Sequence, residues 1–559
     1  MGITFEEATR QLTQPGGPFA IETIEIGGVE TRVFENTLVS LRAVFDTARA
    51  RGDATFLVYE DERWSFAETM RHVDALGALL VERYGIQPGD RVAIAMRNYP
   101  EWIISFAAIT SIGAISVSLN AWWTEAETRY GLEDSGAKVV IADAERARVA
   151  ASTAEEHGIR FLVVRSEGML PAGADRWDDV LPLGSPLPDV AIDPEMDATI
   201  LYTSGTTGFP KGAVSTHRAI TSALAAFGCS ATVHAMRFPD EAKRAAANPT
   251  SFILIVPLFH VTGSLAVMLS CFAAGYKLVM MYKWEPGRAL ELIEREKVTR
   301  FVGVPTQSWD LLESPDFERR DTSSLTNVGG GGAPAPPELV KRIEGSFKRG
   351  RPGIGYGMTE TNAYGPQNSG DDYLRKPQSA GRPVPTMQLR VTDTEGSVLG
   401  PGEIGELWFR GPMLIRGYWN KPEATAEAIV DGWLRSGDLG TIDEEGFVYV
   451  QDRAKDMVLR AGENVYCAEV EAAIYEHVAV YEAAVYGLPH ERLGEEVAAS
   501  VVVRAGAELD EDGLREHLSV RIAAFKIPTC VDFRREQLPR GATGKILKRQ
   551  IRDEVAARS

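Results

Sequence analysis

Between residues 91 and 347 short apolar runs alternate with longer amphipathic stretches, and few folds accommodate that rhythm. The runs 91–96, 114–119, 138–142 and 160–164 read as strands, with helices over 100–111 and from Glu125 between them. A second series follows. It has a helix from His217, strands over 252–256, 277–281 and 300–304, and helices after Thr262, over 286–296 and over 334–347. Parallel strands need long crossovers, usually helical. The pattern therefore predicts an α/β unit with two doubly wound, mainly parallel sheets. The residues before 91 read as a preamble: a hairpin over 58–66 with Asp61-Glu62 at its tip, then an amphipathic helix over 67–84.

From residue 379 the texture changes to strands separated by Gly, Pro and Asp turns, without long helices. That predicts a small β-barrel or sandwich over about residues 379–451. After Arg453 comes a compact α+β pattern. Its strands are 456–459, 481–486, 497–503 and 531–533, and its helices are 468–476, 511–523 and a basic terminal one over 545–552. A chain of 559 residues exceeds one ordinary domain. The boundary is predicted near 452–455, dividing a large N-terminal unit (1–452) from a smaller, mobile C-terminal one (453–559).

A net charge of −19 argues against a general nucleic-acid binder, because phosphate backbones would be repelled. Small anionic ligands remain allowed, since they feel local groups more than the total. The four cysteines (Cys229, Cys271, Cys467, Cys530) form no C-x-x-C pair, which disfavours a zinc site or a disulfide framework and fits a reducing cytoplasm. The N-terminus, MGITFEE, is acidic where a secretory leader is basic, and Glu6 stands where myristoylation requires Ser or Thr. Two uncharged stretches, 102–123 and 251–276, are interrupted by Ser, Thr and Gly or by Pro257 and His260, so buried strand–helix pairs are expected rather than membrane spans. Peripheral membrane contact and homo-oligomerisation stay open.

The chemistry concentrates in residues 203–212, TSGTTGFPKG. A loop dense in Gly, Ser and Thr offers backbone N–H groups and hydroxyls to an anionic phosphate chain. Thr203, Ser204, Thr206 and Thr207 supply hydroxyls, Gly205 and Gly208 let the backbone approach, and Lys211 supplies charge. It is not a Walker A loop. Counted from Gly205, that motif's Gly-Lys-Ser/Thr would fall on Pro210, Lys211 and Gly212, and neither proline nor the second glycine has the required group.

This loop, followed in order by PLFHVTG (257–263), NVGGGGA (327–333), GYGMTET (355–361), RSGDLG (435–440) and PRGATGKILK (539–548), resembles the adenylate-forming superfamily of acyl- and aryl-CoA synthetases, peptide-synthetase adenylation domains and luciferases. The resemblance spans nearly the whole chain. It implies that Thr203, Ser204, Gly205, Thr206, Thr207, Gly208 and Lys211 cradle ATP phosphates, and that His260 borders the acyl site and orients the carboxylate. Gly331, Gly332 and Ala333 would line the adenine and acyl chain. Tyr356 would stack on adenine, flanked by Gly357 and Met358, while Thr359 meets the α-phosphate and Glu360, with Thr203, holds Mg²⁺. Asp438 and Arg453 would bind the ribose, Lys455 falls at the hinge position, and Lys545 would close over the adenylation site.

The implied activity is ligation of a carboxylic acid to coenzyme A with ATP, releasing AMP and pyrophosphate through an acyl-adenylate. No protein nucleophile is required, in agreement with the absence of a Ser–His or Cys–His constellation. The small partners are the acid, ATP and CoA. The glycine run has no side chains to close a tunnel, so a medium- or long-chain fatty acid is expected. The alternatives are an aryl-acid ligase, or an enzyme that loads a separate carrier protein. An attached carrier module is not expected, because the sequence ends at Ser559, soon after Lys545. Outside the class stands a non-catalytic nucleotide-binding protein, which should have lost Glu360, Asp438 or Lys545; all three are present.

Overall fold

A computed structural model describes residues 3–203 and 210–558. Its core is two eight-stranded sheets, each with six parallel strands. The first runs Gly417–Tyr418, Lys211–Thr216, Asp197–Thr203, Ile115–Ser118, Arg91–Ala95, Val139–Asp143, Arg160–Val164, Ala174–Arg176. The second runs Gln367–Ser369, Arg351–Gly355, Asn327–Gly331, Arg300–Gly303, Ser251–Leu254, Lys277–Met280, Thr55–Tyr59, Glu62–Ser65. Strands such as Val139–Asp143 are buried along their whole length, as parallel strands covered on both faces must be. Helix Pro100–Ser111 opens with proline at its first turn and is buried on every side. This explains the continuous apolar run in its sequence.

Several features differ from expectation. The early hairpin turns at Glu60 and Asp61, because Tyr59 pairs with Glu62. It is no separate preamble, since Leu57 pairs in parallel with Leu278 and the hairpin forms an edge of the second sheet. Helices Ala144–His157 and Pro305–Glu313 were not anticipated, and the segment after His260 begins as a π-helix, Thr262–Met268, before continuing as Leu269–Ala274. The last helix starts at Lys548, so Lys545 lies on the turn ahead of it rather than at a helix start.

The β-rich stretch is a five-stranded antiparallel sheet: Gln388–Thr392, Gly405–Arg410, Trp433–Ile442 and Ile429–Val430 in order, with Val448–Arg453 also paired to Trp433–Ile442. Beyond it lies a second five-stranded sheet built around Val480–His490 and Gly494–Val503, covered by helices Cys467–Tyr475 and Glu511–Ser519. This small unit docks on helix Pro305–Glu313. Tyr481 donates to Asp310 Oδ1 at 2.8 Å, Arg540 meets Asp310 Oδ2 at 3.2 Å, Arg504 pairs with Glu313, and the Thr306 hydroxyl donates to the carbonyl of Gly544 at 3.1 Å.

Among helices of the described residues, only His217–Arg237 is long and apolar enough to cross a membrane. Ala223, Ala226, Cys229 and Val233 from this helix pack into a hydrophobic cluster with Tyr364 and Phe409.

Candidate active site

The motifs converge on one cleft of about 2160 Å³, larger than a single small-ligand site needs. It is lined from both units: Thr203, Lys211, His260, Gly331, Gly332, Gly357, Met358, Thr359 and Glu360 on the large side, and Arg453, Lys455 and Lys545 at the junction and beyond.

Thr203 ends its strand directly opposite Lys211, the first residue of the antiparallel return strand. The Thr203 hydroxyl donates to the Lys211 carbonyl at 3.4 Å. Ser204, Gly205, Thr206, Thr207 and Gly208 lie outside the described residues. The Lys211 ammonium sits 4.9 Å from the centre of the Tyr418 ring, and the Tyr418 hydroxyl donates to Glu360 Oε1 at 2.7 Å. Tyr418 was missed by sequence reasoning. It stands on a two-residue strand that pairs Tyr418 with Ala213, and nothing local in the sequence announces that pairing.

Glu360 is 8% exposed on a short 3₁₀ turn, and Oε2 accepts no bond from a described residue. A carboxylate oxygen without a protein partner, in a cleft that Thr203 also lines, is a hard donor of the kind a phosphate-bridging Mg²⁺ takes, and the Lys211 ammonium adds charge for the phosphates.

His260 follows the strand Ser251–Leu254 in a turn where Gly263 is required, because a Cβ there would lie 2.2 Å from the Pro257 carbonyl oxygen. Its Nδ1 accepts from the Thr262 amide at 3.3 Å, which leaves Nε2 as the protonated nitrogen. Burial, reinforced by the nearby Lys545 charge, pushes its pKa down to about 4. The imidazole is therefore a neutral donor at neutral pH.

Asp438 and Arg453 are direct cross-strand partners, with Arg453 Nε 3.3 Å from Asp438 Oδ1. The other oxygen, Oδ2, accepts from the Tyr356 hydroxyl at 2.5 Å. Burial raises the Asp438 pKa, while Arg453, Tyr356 and Lys545 pull it down. Asp438 is buried and Tyr356 partly exposed, and their chain neighbours Gly355, Gly357 and Gly437 line the cleft. Lys545 is held below the ordinary lysine value by burial and then by Arg453, with Asp438 opposing. Lys545 thus acts on His260, Asp438 and Arg453 alike, although nearly three hundred residues separate it from His260.

The glycine run occupies strand Asn327–Gly331 and the residue after it. Gly331 and Gly332 line the cleft, whereas Ala333 does not. A Cβ at Gly331 would come within 2.9 Å of the Gly355 carbonyl oxygen, so strand packing, as well as open space, requires glycine there.

The sequence profile of the AMP-binding enzyme family matches residues 44–419, and that of the AMP-binding enzyme C-terminal domain matches residues 469–545. The chain is 33% identical over 539 residues to a long-chain-fatty-acid–CoA ligase of Bacillus subtilis (strain 168), covering 91% of this chain and 93% of the relative. It is 36% identical over 506 residues to a feruloyl-CoA synthase of an Amycolatopsis species, covering 90% and 96%. The fold superposes with a TM-score of 0.76 on o-succinylbenzoate CoA synthetase (MenE) from Bacillus subtilis, solved with its acyl-adenylate intermediate OSB-AMP, at 27% identity over 91% of this chain and 97% of that one.

Proposed function

The chain belongs to the AMP-binding enzyme family, and from that premise we infer that it joins a carboxylic acid to coenzyme A with ATP, forming acyl-CoA, AMP and pyrophosphate. A carboxylate oxygen attacks the α-phosphorus of ATP and pyrophosphate leaves. The CoA thiol then attacks the acyl carbonyl and AMP leaves. The protein positions these groups and offsets their charge.

One observation carries the site assignment: Lys545, from the small unit, lines the same cleft as His260 and Arg453, close enough to feel the charge of Asp438. In this reading the Lys545 ammonium bridges the acid's carboxylate and the α-phosphate, where negative charge crowds. Neutral His260 donates Nε2–H to the carboxylate. Thr203 and Lys211 hold the phosphates with the loop between them, Thr359 meets the α-phosphate, and Asp438 with Arg453 receives the ribose once the Tyr356 hydroxyl yields. Glu360 and Thr203 would hold Mg²⁺, which when bound neutralises phosphate charge. The division into 1–452 and 453–559, with Lys455 at the hinge, supplies the motion that withdraws Lys545 before the thiol arrives.

The acid is read as a medium- or long-chain acyl group. The cleft's volume of about 2160 Å³ and the fatty-acid ligase relative support this; the feruloyl-CoA synthase relative keeps aryl acids as the second reading. A cytoplasmic setting, where ATP and CoA are found, is supported by four cysteines that all stand free. The test is product analysis across a panel of acids. AMP with a CoA thioester is expected; ADP, or AMP without thioester, would remove the reading.

A further inference from the structure

An apolar arm of the cleft runs between the second sheet and helix His217–Arg237, past Leu224, Phe227, Val267 and Val302. Its far end is not apolar. Strand Arg300–Gly303 alternates in the usual way: Phe301 is fully buried in the core behind the sheet, while Arg300 and Val302 face the cleft. Arg300 pairs in register with Phe252 on one side and Asn327 on the other, and all three line the cavity. Tyr276, whose ring lies parallel to that of Phe252 at 6.1 Å between centroids, completes this end.

The Arg300 backbone is held in the sheet between its two neighbouring strands, but its guanidinium makes no ion pair or hydrogen bond with any described residue. Burial lowers its pKa and only the Tyr276 hydroxyl opposes, with no carboxylate in reach. The Asn327 backbone amide donates to the Thr299 carbonyl, but its side-chain amide likewise bonds to nothing described; it lies over Gly329 and Gly353, whose missing Cβ atoms leave it room. A guanidinium enclosed without an anion is costly to a fold unless something brings the anion. Arg300 lies three residues before Gly303, about 10 Å along the strand from the end where the glycine run and His260 meet. That places a planar, five-donor cation at the depth reached by the tail of a medium-length chain.

We propose that the acid this enzyme activates carries a second carboxylate at its far end, received by Arg300 with Asn327 beside it. The substrate class is then an α,ω-dicarboxylic acid of medium length. This rests on the ligase reading above, and the test keeps the two apart. Binding is measured by calorimetry without ATP, using decanedioic, 9-oxodecanoic and decanoic acids, and turnover is followed separately as AMP release with CoA.

The wild type should bind decanedioic acid at least about tenfold more tightly than decanoic acid, with the oxo-acid between, as one charge-assisted bond pair predicts. Arg300→Leu should abolish or reverse that ratio, and Arg300→Lys, which keeps charge but loses the fork, should retain part of it. If Arg300→Leu fails to fold, the wild-type ratio and the Lys variant decide. A wild type that binds decanoic acid as tightly as the diacid overturns the proposal, as does an Arg300→Leu ratio equal to wild type or an oxo-acid that outranks the diacid. Absence of AMP with every acid would remove the ligase reading while leaving the binding ratio to judge Arg300.

Discussion

The Tyr356 hydroxyl donates to Asp438 Oδ2 at 2.5 Å, so the carboxylate assigned to the ribose is already satisfied before any nucleotide arrives. Asp438 is 5% exposed and its second oxygen is held by Arg453. Binding a ribose diol there exchanges one hydroxyl partner for another.

Asp438→Ala should therefore raise the KM for ATP well above its effect on CoA, by on the order of 1.5–3 kcal/mol for lost charge-assisted bonds. Tyr356→Phe removes only the competing hydroxyl and should not raise the KM for ATP. Steady-state titrations of each substrate check both. An ATP dependence unchanged in folded Asp438→Ala would take the residue out of the site.

Lys545→Ala should cripple adenylate formation, by roughly 10²–10³ or about 2.7–4 kcal/mol, and spare thioester formation from a supplied acyl-adenylate. Pyrophosphate exchange measures the first step and direct thioester release the second. Equal loss in both steps would contradict the proposed two-position motion; loss in neither would make Lys545 an ordinary lysine.

The same lysine sets a pH limb. Burial and Arg453 hold its pKa below 10.5, and only the protonated form offsets phosphate charge. The kcat/KM for ATP in pyrophosphate exchange should therefore fall as pH rises through a value below 10.5. Lys545→Arg, always charged, should lose that limb even if its rate is lower. A profile identical to wild type would assign the limb elsewhere.

Tyr418 fixes Glu360 through its 2.7 Å bond and lies under the Lys211 ammonium. Tyr418→Phe keeps the ring and frees the carboxylate. The Mg²⁺ concentration for half-maximal activity should rise about tenfold, the usual effect of removing a partner that orients a metal ligand. Titrating Mg²⁺ at fixed ATP tests this, and an unchanged midpoint would make the bond structural only.

Arg504 joins the small unit to Glu313 and lies 5.4 Å from the Trp309 ring. Arg504→Ala should slow adenylation two- to fivefold, about 0.5–1 kcal/mol for a partly exposed pair, and leave thioester formation unaffected or faster. Slowing of both steps alike would mean that this contact does not bias the closed arrangement.

Strand periodicity, the Gly/Ser/Thr loop and the ordered motifs made the α/β class, the chemistry and most candidate side chains readable from residue order, because each is a local pattern. Thr203 and Lys211, Gly357 through Glu360, and Asp438 with Arg453 each sit within one turn or one strand pair. Tyr418 and Arg300 were not readable. Tyrosine on a short strand and arginine at a strand start are ordinary residues until their neighbours are known.

The amino-acid order by itself determined most of the segments that become strands and helices, since period, glycine placement and capping act over a few residues. Tertiary structure alone decided that the hairpin Thr55–Tyr59 and Glu62–Ser65 closes a sheet more than two hundred residues away, and that Tyr418 reaches Glu360. It alone decided that Arg300 faces the cleft with no carboxylate in reach and that Lys545 comes close enough to act on His260 and Asp438. The reason is that these outcomes depend on register and packing between distant segments. A one-residue slip in register would turn Arg300 into the core and Phe301 into the cleft without any change in local propensity.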